Sequence, residues 1–250
     1  MSPRFDDEEL PVPVARPNGF KRLIGALFSP EETFQSIAER PDWAAPLVVF
    51  MIMALFAGIV TAKHVDFASE SRAMLEKRHV PKDKIEDQLR LSHAIGKVAS
   101  YCSPIGVTIV FLLIAAIMQL TFRLFGGEGG FAQYFSATLY SWWPRVIQNA
   151  IFAVVLLARG TVIGTESVNT LVHSNLGFLV DAHAHPFVFV FATSFDVFAI
   201  WSIILMSIGY AAVSRFSKAR AAGVVLSLWG VVMLFKLGFA ALRVMLMGGL

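Results

Sequence analysis

The chain has 250 residues, of which 56% are hydrophobic and only 16% charged, a balance that excludes an ordinary soluble domain and marks an integral membrane protein. The formal net charge of +3 comes with no zinc-finger spacing and no aromatic-basic strip, so nucleic acid is excluded as a partner. A single cysteine, Cys102, excludes an internal disulfide and reads as a small buried apolar residue.

Residues 1–17 combine four prolines with Asp6, Asp7, Glu8 and Glu9 and have too little apolar surface to pack, which predicts a disordered tail. This acidic start has no basic region followed by an apolar core, so a cleavable signal peptide is not expected. Residues 18–42 form the next unit, predicted as cytoplasmic interfacial helices. Phe20, Leu23, Ile24, Leu27 and Phe28 recur at helical spacing beside Lys21 and Arg22, the pattern of a short helix lying in the membrane interface. Ser29-Pro-Glu-Glu32 then predicts a second helix start: the Ser hydroxyl caps, Pro30 takes the first helical position, and Glu32 returns to the cap amide. The Glu31-Glu32 pair could suggest an intramembrane glutamic protease, but the arginine such an enzyme needs four residues beyond the second Glu is replaced by Ser36.

The remainder, 43–245, reads as a five-helix membrane domain. Its first span, 43–62, is uncharged throughout and opens on Trp43, an interfacial residue type. A polar insert follows over 63–97, with eight basic and six acidic residues. Its apolar residues Phe67, Met74 and Leu75, then Ile85, Leu89 and Leu91, predict two amphipathic helices separated at Pro81. The second span is predicted at 98–122. Arg123 to Gly130 reads as a glycine turn between close helices, since it lacks the Gly-Lys-Ser/Thr of a phosphate loop.

The third predicted span, 131–158, carries Tyr134, Thr138, Ser141, Arg145 and Gln148 at alternating four- and three-residue steps, a polar stripe flanked by Asn149. Pro144 interrupts it beside the arginine, where it could free a carbonyl for a polar partner. The fourth, 187–213, carries Asp196 inside an apolar run. A carboxylate at that depth costs roughly 3 kcal/mol or more unless it is neutralised, paired or hydrated. The fifth, 221–242, contains Lys236. At ~1.5 Å per residue, Asp196, Arg145 and Lys236 lie at roughly 14, 18 and 10 Å from the same face. This predicts an ion pair or triad joining the last three spans, with Arg145 the favoured partner. The intramembrane polar cluster thus comprises Asp196, Arg145, Lys236, Gln148 and Asn149, read first as glue that fixes helix register and second as a proton or ion relay.

Orientation follows from Arg215, Lys218 and Arg220 in the short fourth connector, against one basic residue in 159–186. That places the N-terminus in the cytoplasm and the C-terminus outside. The six histidines, His64, His79, His93, His173, His183 and His185, then all fall outside. Asp181-Ala-His183-Ala-His185 offers metal-type ligands, but its i,i+2 spacing suits an extended segment only and a solvated loop is the expectation. No metal, cofactor or catalytic residue is expected, and neither HExxH nor GxSxG is present.

The stretch Phe28-Ser-Pro-Glu-Glu-Thr-Phe-Gln-Ser-Ile-Ala-Glu-Arg-Pro-Asp-Trp43 resembles the approach to the first span in bacterial members of the YIP domain family, the Ypt/Rab-interacting-protein type. Leu124-Phe-Gly-Gly-Glu-Gly-Gly-Phe131, Trp143-Pro144, and Phe195-Asp-Val-Phe-Ala-Ile-Trp201 through Gly209 resemble its later signatures in order. The resemblance covers roughly residues 20 to 245. It implies an all-α, polytopic membrane protein of five transmembrane helices with amphipathic N-terminal helices, in the bacterial inner (plasma) membrane. The eukaryotic branch is linked to vesicle traffic, Rab-type GTPases and the shaping of Golgi and endoplasmic reticulum membranes, whereas the function of bacterial members is largely unassigned. The eukaryotic Asp-Leu-Tyr-Gly-Pro motif is replaced here by Pro41-Asp-Trp-Ala-Ala-Pro46, so Rab binding is not carried over. The expected partners are the lipid bilayer and an unidentified membrane or cytoplasmic protein, and the expected function is that of a non-catalytic adaptor or organiser. The alternative is a small transporter or channel using the Asp196, Arg145 and Lys236 cluster.

Overall fold

The computed structural model describes residues 18–77, 79–163, 170–182 and 184–248, so the predicted tail over 1–17 lies outside the described residues. Helix α1 (Gly19–Phe28) starts where the Asn18 side chain accepts a hydrogen bond from the Phe20 amide at 3.0 Å. Its spacing buries Leu23 and Ala26 while Phe20, Ile24 and Phe28 stay 63–79% exposed along one edge. Helix α2 (Pro30–Glu39) follows after one residue, with Pro30 in the first turn.

That single-residue connector alters the expected cap. The Ser29 amide already donates to Gly25 O at 2.7 Å to close α1, and its side chain makes no capping bond. Thr33 Oγ1 instead donates back to Ser29 O at 2.9 Å. The hairpin is pinned by Arg22, which is buried and donates to Arg40 O at 2.8 Å and Ser36 O at 3.0 Å. A cation at the C-terminal carbonyls of α2 adds a donor to Ser36 O, which also accepts the Arg40 amide at 3.0 Å, and to Arg40 O, and meets the negative end of the helix dipole.

Five helical segments are long and apolar enough to cross a membrane. Helix α3 (Ala44–His64) packs along α5 (Lys82–Leu124). At its far end a two-residue strand β1 (Val65–Asp66) leads into α4 (Phe67–Lys77), where Asp66 accepts from the Ser69 amide and hydroxyl at 3.0 and 2.5 Å.

Helix α5 corrects the expected boundary at Lys97. Its 43 residues continue without a break from the polar insert through the second span. The change at Lys97 is one of polarity, not of backbone. Pro104 inside it removes the amide that would serve Ser100 O, and Ser103 Oγ lies 2.8 Å from that oxygen and 2.9 Å from Ala54 O on α3. Gly58 permits the close crossing, because a Cβ there would meet Ser100 O at 3.0 Å. Cys102, expected to be buried, is exposed on this helix.

The third span is two helices, α6 (Phe131–Ser141) and α7 (Trp143–Arg159). With Pro144 in the first turn of α7, the Arg145 amide turns to Trp142 O at 2.9 Å. A second two-residue strand, β2 (Val162–Ile163), pairs in parallel with β1. The fourth span is also divided, into α8 (Pro186–Ser194) and α9 (Val197–Ser214), and α10 (Lys218–Gly248) completes the bundle.

Helix α9 is central and packs on α2, α6, α7 and α10. Its own Tyr210 and the neighbouring Phe34, Phe122, Tyr134 and Tyr140 are fully buried rings. The tyrosine hydroxyls are not stranded there: Tyr134 donates to Glu128 O at 2.9 Å, and Tyr210 shares a 2.9 Å bond with Thr138.

The glycine connector closes one end of the bundle. Gly127 N donates to Phe122 O at 2.8 Å and Glu128 N to Ser214 O at 3.1 Å. Arg215 pairs with Glu128 at 3.1 Å, Lys218 with Glu31 at 2.5 Å, and Arg220 donates to Phe125 O at 2.6 Å. All three basic residues of that connector are therefore tied to neighbouring segments, although exposed pairs of this kind contribute little individually.

Gly126 and Gly129 both adopt positive φ, +85° and +96°. A Cβ on Gly126 would stand in open space, whereas one on Gly129 would meet Val213 Cγ1 at 2.7 Å and Val213 O at 3.0 Å. Gly126→Ala should therefore cost only the backbone penalty, about 1 kcal/mol. Gly129→Ala should cost about 3 kcal/mol through strain plus overlap. Unfolding of the purified chain in detergent, followed by tryptophan fluorescence, checks the order.

Candidate functional site

Asp196 does not sit within a helix, as the single 187–213 span predicts, but at the break between α8 and α9. There it is the N-cap of α9. Its Oδ1 accepts from the amides of Phe198 at 2.9 Å and Ala199 at 3.1 Å, and its own carbonyl receives the Ile200 amide at 2.9 Å. Two of the orphan amides of a helix start are thereby satisfied, and the positive end of the α9 dipole faces a buried carboxylate that is only 2% exposed.

The second oxygen is held from other elements. Oδ2 accepts from Gln148 Nε2 at 2.7 Å and from the Ser174 hydroxyl. Ser174 in turn accepts from Gln148 Nε2 at 3.0 Å, and its carbonyl receives the Val197 amide at 3.0 Å. An antiparallel bridge between Asn175 and Asp196 holds the two strands of chain together. The segment around Ser174 thus turns back to the level of Asp196, and a 3₁₀ turn (Leu176–Leu179) packs it against α8. Irregular backbone at such a level is stable because protein covers it.

Arg145 is the outer member of the group. Its Nη1 lies 3.5 Å from Asp196 Oδ1 but only 2.5 Å from Gln148 Oε1. Gln148 therefore links cation to anion, accepting from the guanidinium and donating to the carboxylate. Four of the five donors around Asp196 are uncharged, two of them amides of the α9 N-terminus, and the guanidinium stands farthest away at 3.5 Å.

Two residues of the predicted cluster make no hydrogen bond or ion pair to Asp196 among the described residues. Asn149 is exposed: it follows Gln148 by about 100° around the helix, which turns it off the stripe. Lys236 is exposed by area, beside the buried Met233 and Ala240 of α10; it lies within electrostatic range of Arg145, and among the described residues it forms no ion pair with Asp196. Residue counting gave its height along the bundle but not its direction around α10.

Ser174 was not among the expected residues. Its place in a loop 22 residues before Asp196 leaves no local pattern to reveal it. Arg22 was read as an interfacial cation and is a buried cap of α2. Of the histidine group, His183 lies outside the described residues and His173 stacks on Phe178 with ring centroids 4.6 Å apart. Among the described residues no group of three His, Cys, Asp or Glu side chains is placed to hold a metal ion.

The geometry predicts an uneven response to substitution. In Asp196→Asn the remaining oxygen can still cap α9, since Asn is as good a cap as Asp, while the new amide opposes the Gln148 amide. A loss of about 1–2 kcal/mol is expected. Asp196→Ala strands the α9 amides, Gln148 and Ser174 together, for about 3 kcal/mol or more. Arg145→Gln should cost less than Asp196→Ala. Unfolding midpoints of the three variants in one detergent measure the order.

Comparison with known proteins agrees with this architecture. The Yip1 domain family matches residues 24–240. Membrane protein YknW of Bacillus subtilis (strain 168) is 24% identical over 218 residues, covering 86% of this chain and 88% of that protein. No solved structure matches. With a family match from α1 to the last spanning helix and five helices able to cross a bilayer, the chain belongs to the Yip1 domain family of membrane proteins.

Proposed function

We propose that this chain is a non-catalytic organiser or adaptor of the bacterial inner membrane, with α1 and α2 on the cytoplasmic side. The observation that carries the reading is the α1–α2 hairpin. Arg22 holds its two helices together, and the pair is locked to the bundle through Gln133 of α6, which donates to Ala38 O, and through Phe34, whose ring lies 2.9 Å from where a Cβ on Gly209 would stand. Yet α1 leaves Phe20, Ile24 and Phe28 outside, 63%, 63% and 79% exposed at i, i+4 and i+8. A rigidly held helix with a free apolar edge beside a membrane bundle acts as a wedge in one leaflet. It both displaces lipid and offers a fixed platform to a partner. The cytoplasmic placement rests on the basic residues Arg215, Lys218 and Arg220 at the same end.

A transporter is the second reading, favoured by one observation. The hydroxyls of Ser141, on the same stripe as Thr138 and Arg145, and of Ser202 in α9 are buried without a hydrogen-bond partner. Polar atoms so placed can be served by water, and a water chain along that stripe would lead towards Asp196.

Reconstitution into liposomes separates the two. The organiser reading predicts narrowed or tubulated vesicles by cryo-electron microscopy. It also predicts that Phe20→Ser, Ile24→Ser and Phe28→Ser together abolish this while the unfolding midpoint stays within about 1 kcal/mol of the parent, since exposed positions are altered. Proton flux above that of empty liposomes, lost in Asp196→Asn, would instead support the transporter.

A further inference from the structure

At the end of the bundle opposite α1 and α2, the last turn of α3, the start of α4 and the middle of α5 enclose a cavity of about 560 Å³. Its charged lining comprises Lys63, Asp66, His93 and Lys97. Asp66 is already committed, since both of its carboxylate oxygens accept from Ser69 to cap α4, and those bonds hold its pKa below the usual value. Lys63 and Lys97 form no ion pair among the described residues. Two lysines against one aspartate leave the cavity with an uncompensated positive charge. Hydroxyls from Ser71, Ser100, Tyr101 and Thr161 complete the polar wall.

The other wall is apolar. Ile59, Val65 and Leu89 line it, and below Ile59 and Lys63 the same side of α3 exposes Phe56 and Ile52. Lys63 stands in the last turn of α3 and Lys97 is the last charged residue of α5 before its apolar stretch. The cavity therefore spans the level at which both helices leave the hydrocarbon layer, charged above and apolar below. A free phosphate ion would use only the upper half, whereas an amphiphile would use both. Gly96 is among the lining residues, and a Cβ there would meet no atom within 4 Å, so a larger side chain has room to project from this position.

We propose that this cavity binds the headgroup of a singly charged anionic phospholipid. Lys63 and Lys97 pair with the phosphodiester, hydroxyls fill its remaining acceptors, and the acyl chains run down the exposed apolar side of α3 at Phe56 and Ile52. Charge-assisted hydrogen bonds to phosphate are the strongest contacts such a site can make.

The test uses the full chain in a neutral detergent, with the unfolding midpoint followed while short-chain phosphatidylglycerol, phosphatidylcholine of the same chain length, or sodium phosphate is added. Saturable stabilisation by phosphatidylglycerol, and weaker or no stabilisation by the other two, is the expected result. Lys63→Gln with Lys97→Gln should weaken the phosphatidylglycerol response by about tenfold or more. Gly96→Leu, which fills the mouth from a position free of neighbours, should remove it without lowering the midpoint of the lipid-free protein, and decides the matter if the lysine variant does not fold. Equal stabilisation by all three additives, or an undiminished phosphatidylglycerol response in either variant, would overturn the proposal.

Discussion

A carboxylate inside a membrane bundle has to be met by donors, and here the first of them are backbone amides. Asp196 interrupts the fourth span and begins α9. The break that creates the need for a cap and the residue that supplies it are therefore the same feature. Ending α8 at Ser194 exposes amides at Phe198 and Ala199, and Asp196 Oδ1 takes both. The remaining oxygen draws in Gln148 from α7 and Ser174 from the loop before α8. One side chain thus fixes the register of two helices and a returning loop, and the central position of α9 spreads that constraint through the bundle.

The same logic recurs at the other end. Arg22 stands at the C-terminal carbonyls of α2 as Asp196 stands at the N-terminal amides of α9, each charge placed against the helix end of opposite sign. Between them, the buried tyrosines use their hydroxyls on a neighbouring threonine or carbonyl. Few polar atoms in this core interact with a formal charge of opposite sign. Most are answered by backbone groups, which are fixed by the fold and need no side-chain ordering. Closing the cluster on itself suits a scaffold more than a pathway, since a carboxylate engaged by five donors has little freedom to exchange partners.

Much of the architecture was legible before any coordinates. Apolar runs of about twenty residues or more with at most one charge mark the spans, and glycines at 126–130 mark the tight connector because positive φ and close approach leave few alternatives. What could not be read was azimuth and backbone continuity. A residue count puts Lys236 at the height of the cluster, and it does lie within electrostatic range of Arg145, but the count does not tell that the side chain makes no direct pair with Asp196. The step in polarity at Lys97 looked like a boundary, although a helix needs only unbroken hydrogen bonding, and Ile85 and Leu89 bury a face of the polar part as well. Asp196 was found and its role missed: apolar residues on both sides of the break averaged into one long span. The preference of Asp for the N-cap, after the Thr193-Ser194 pair, was the signal that could have divided it.

The central claim is that Asp196 is held chiefly as the cap of α9 and only secondarily by Arg145. Amide hydrogen exchange at Phe198 and Ala199, measured in the folded protein, tests it most directly. Slow exchange that is lost in Asp196→Ala and kept in Arg145→Gln is the predicted result. Exchange at those two amides that is unaffected by Asp196→Ala, or that opens when Arg145 alone is replaced, would contradict the account.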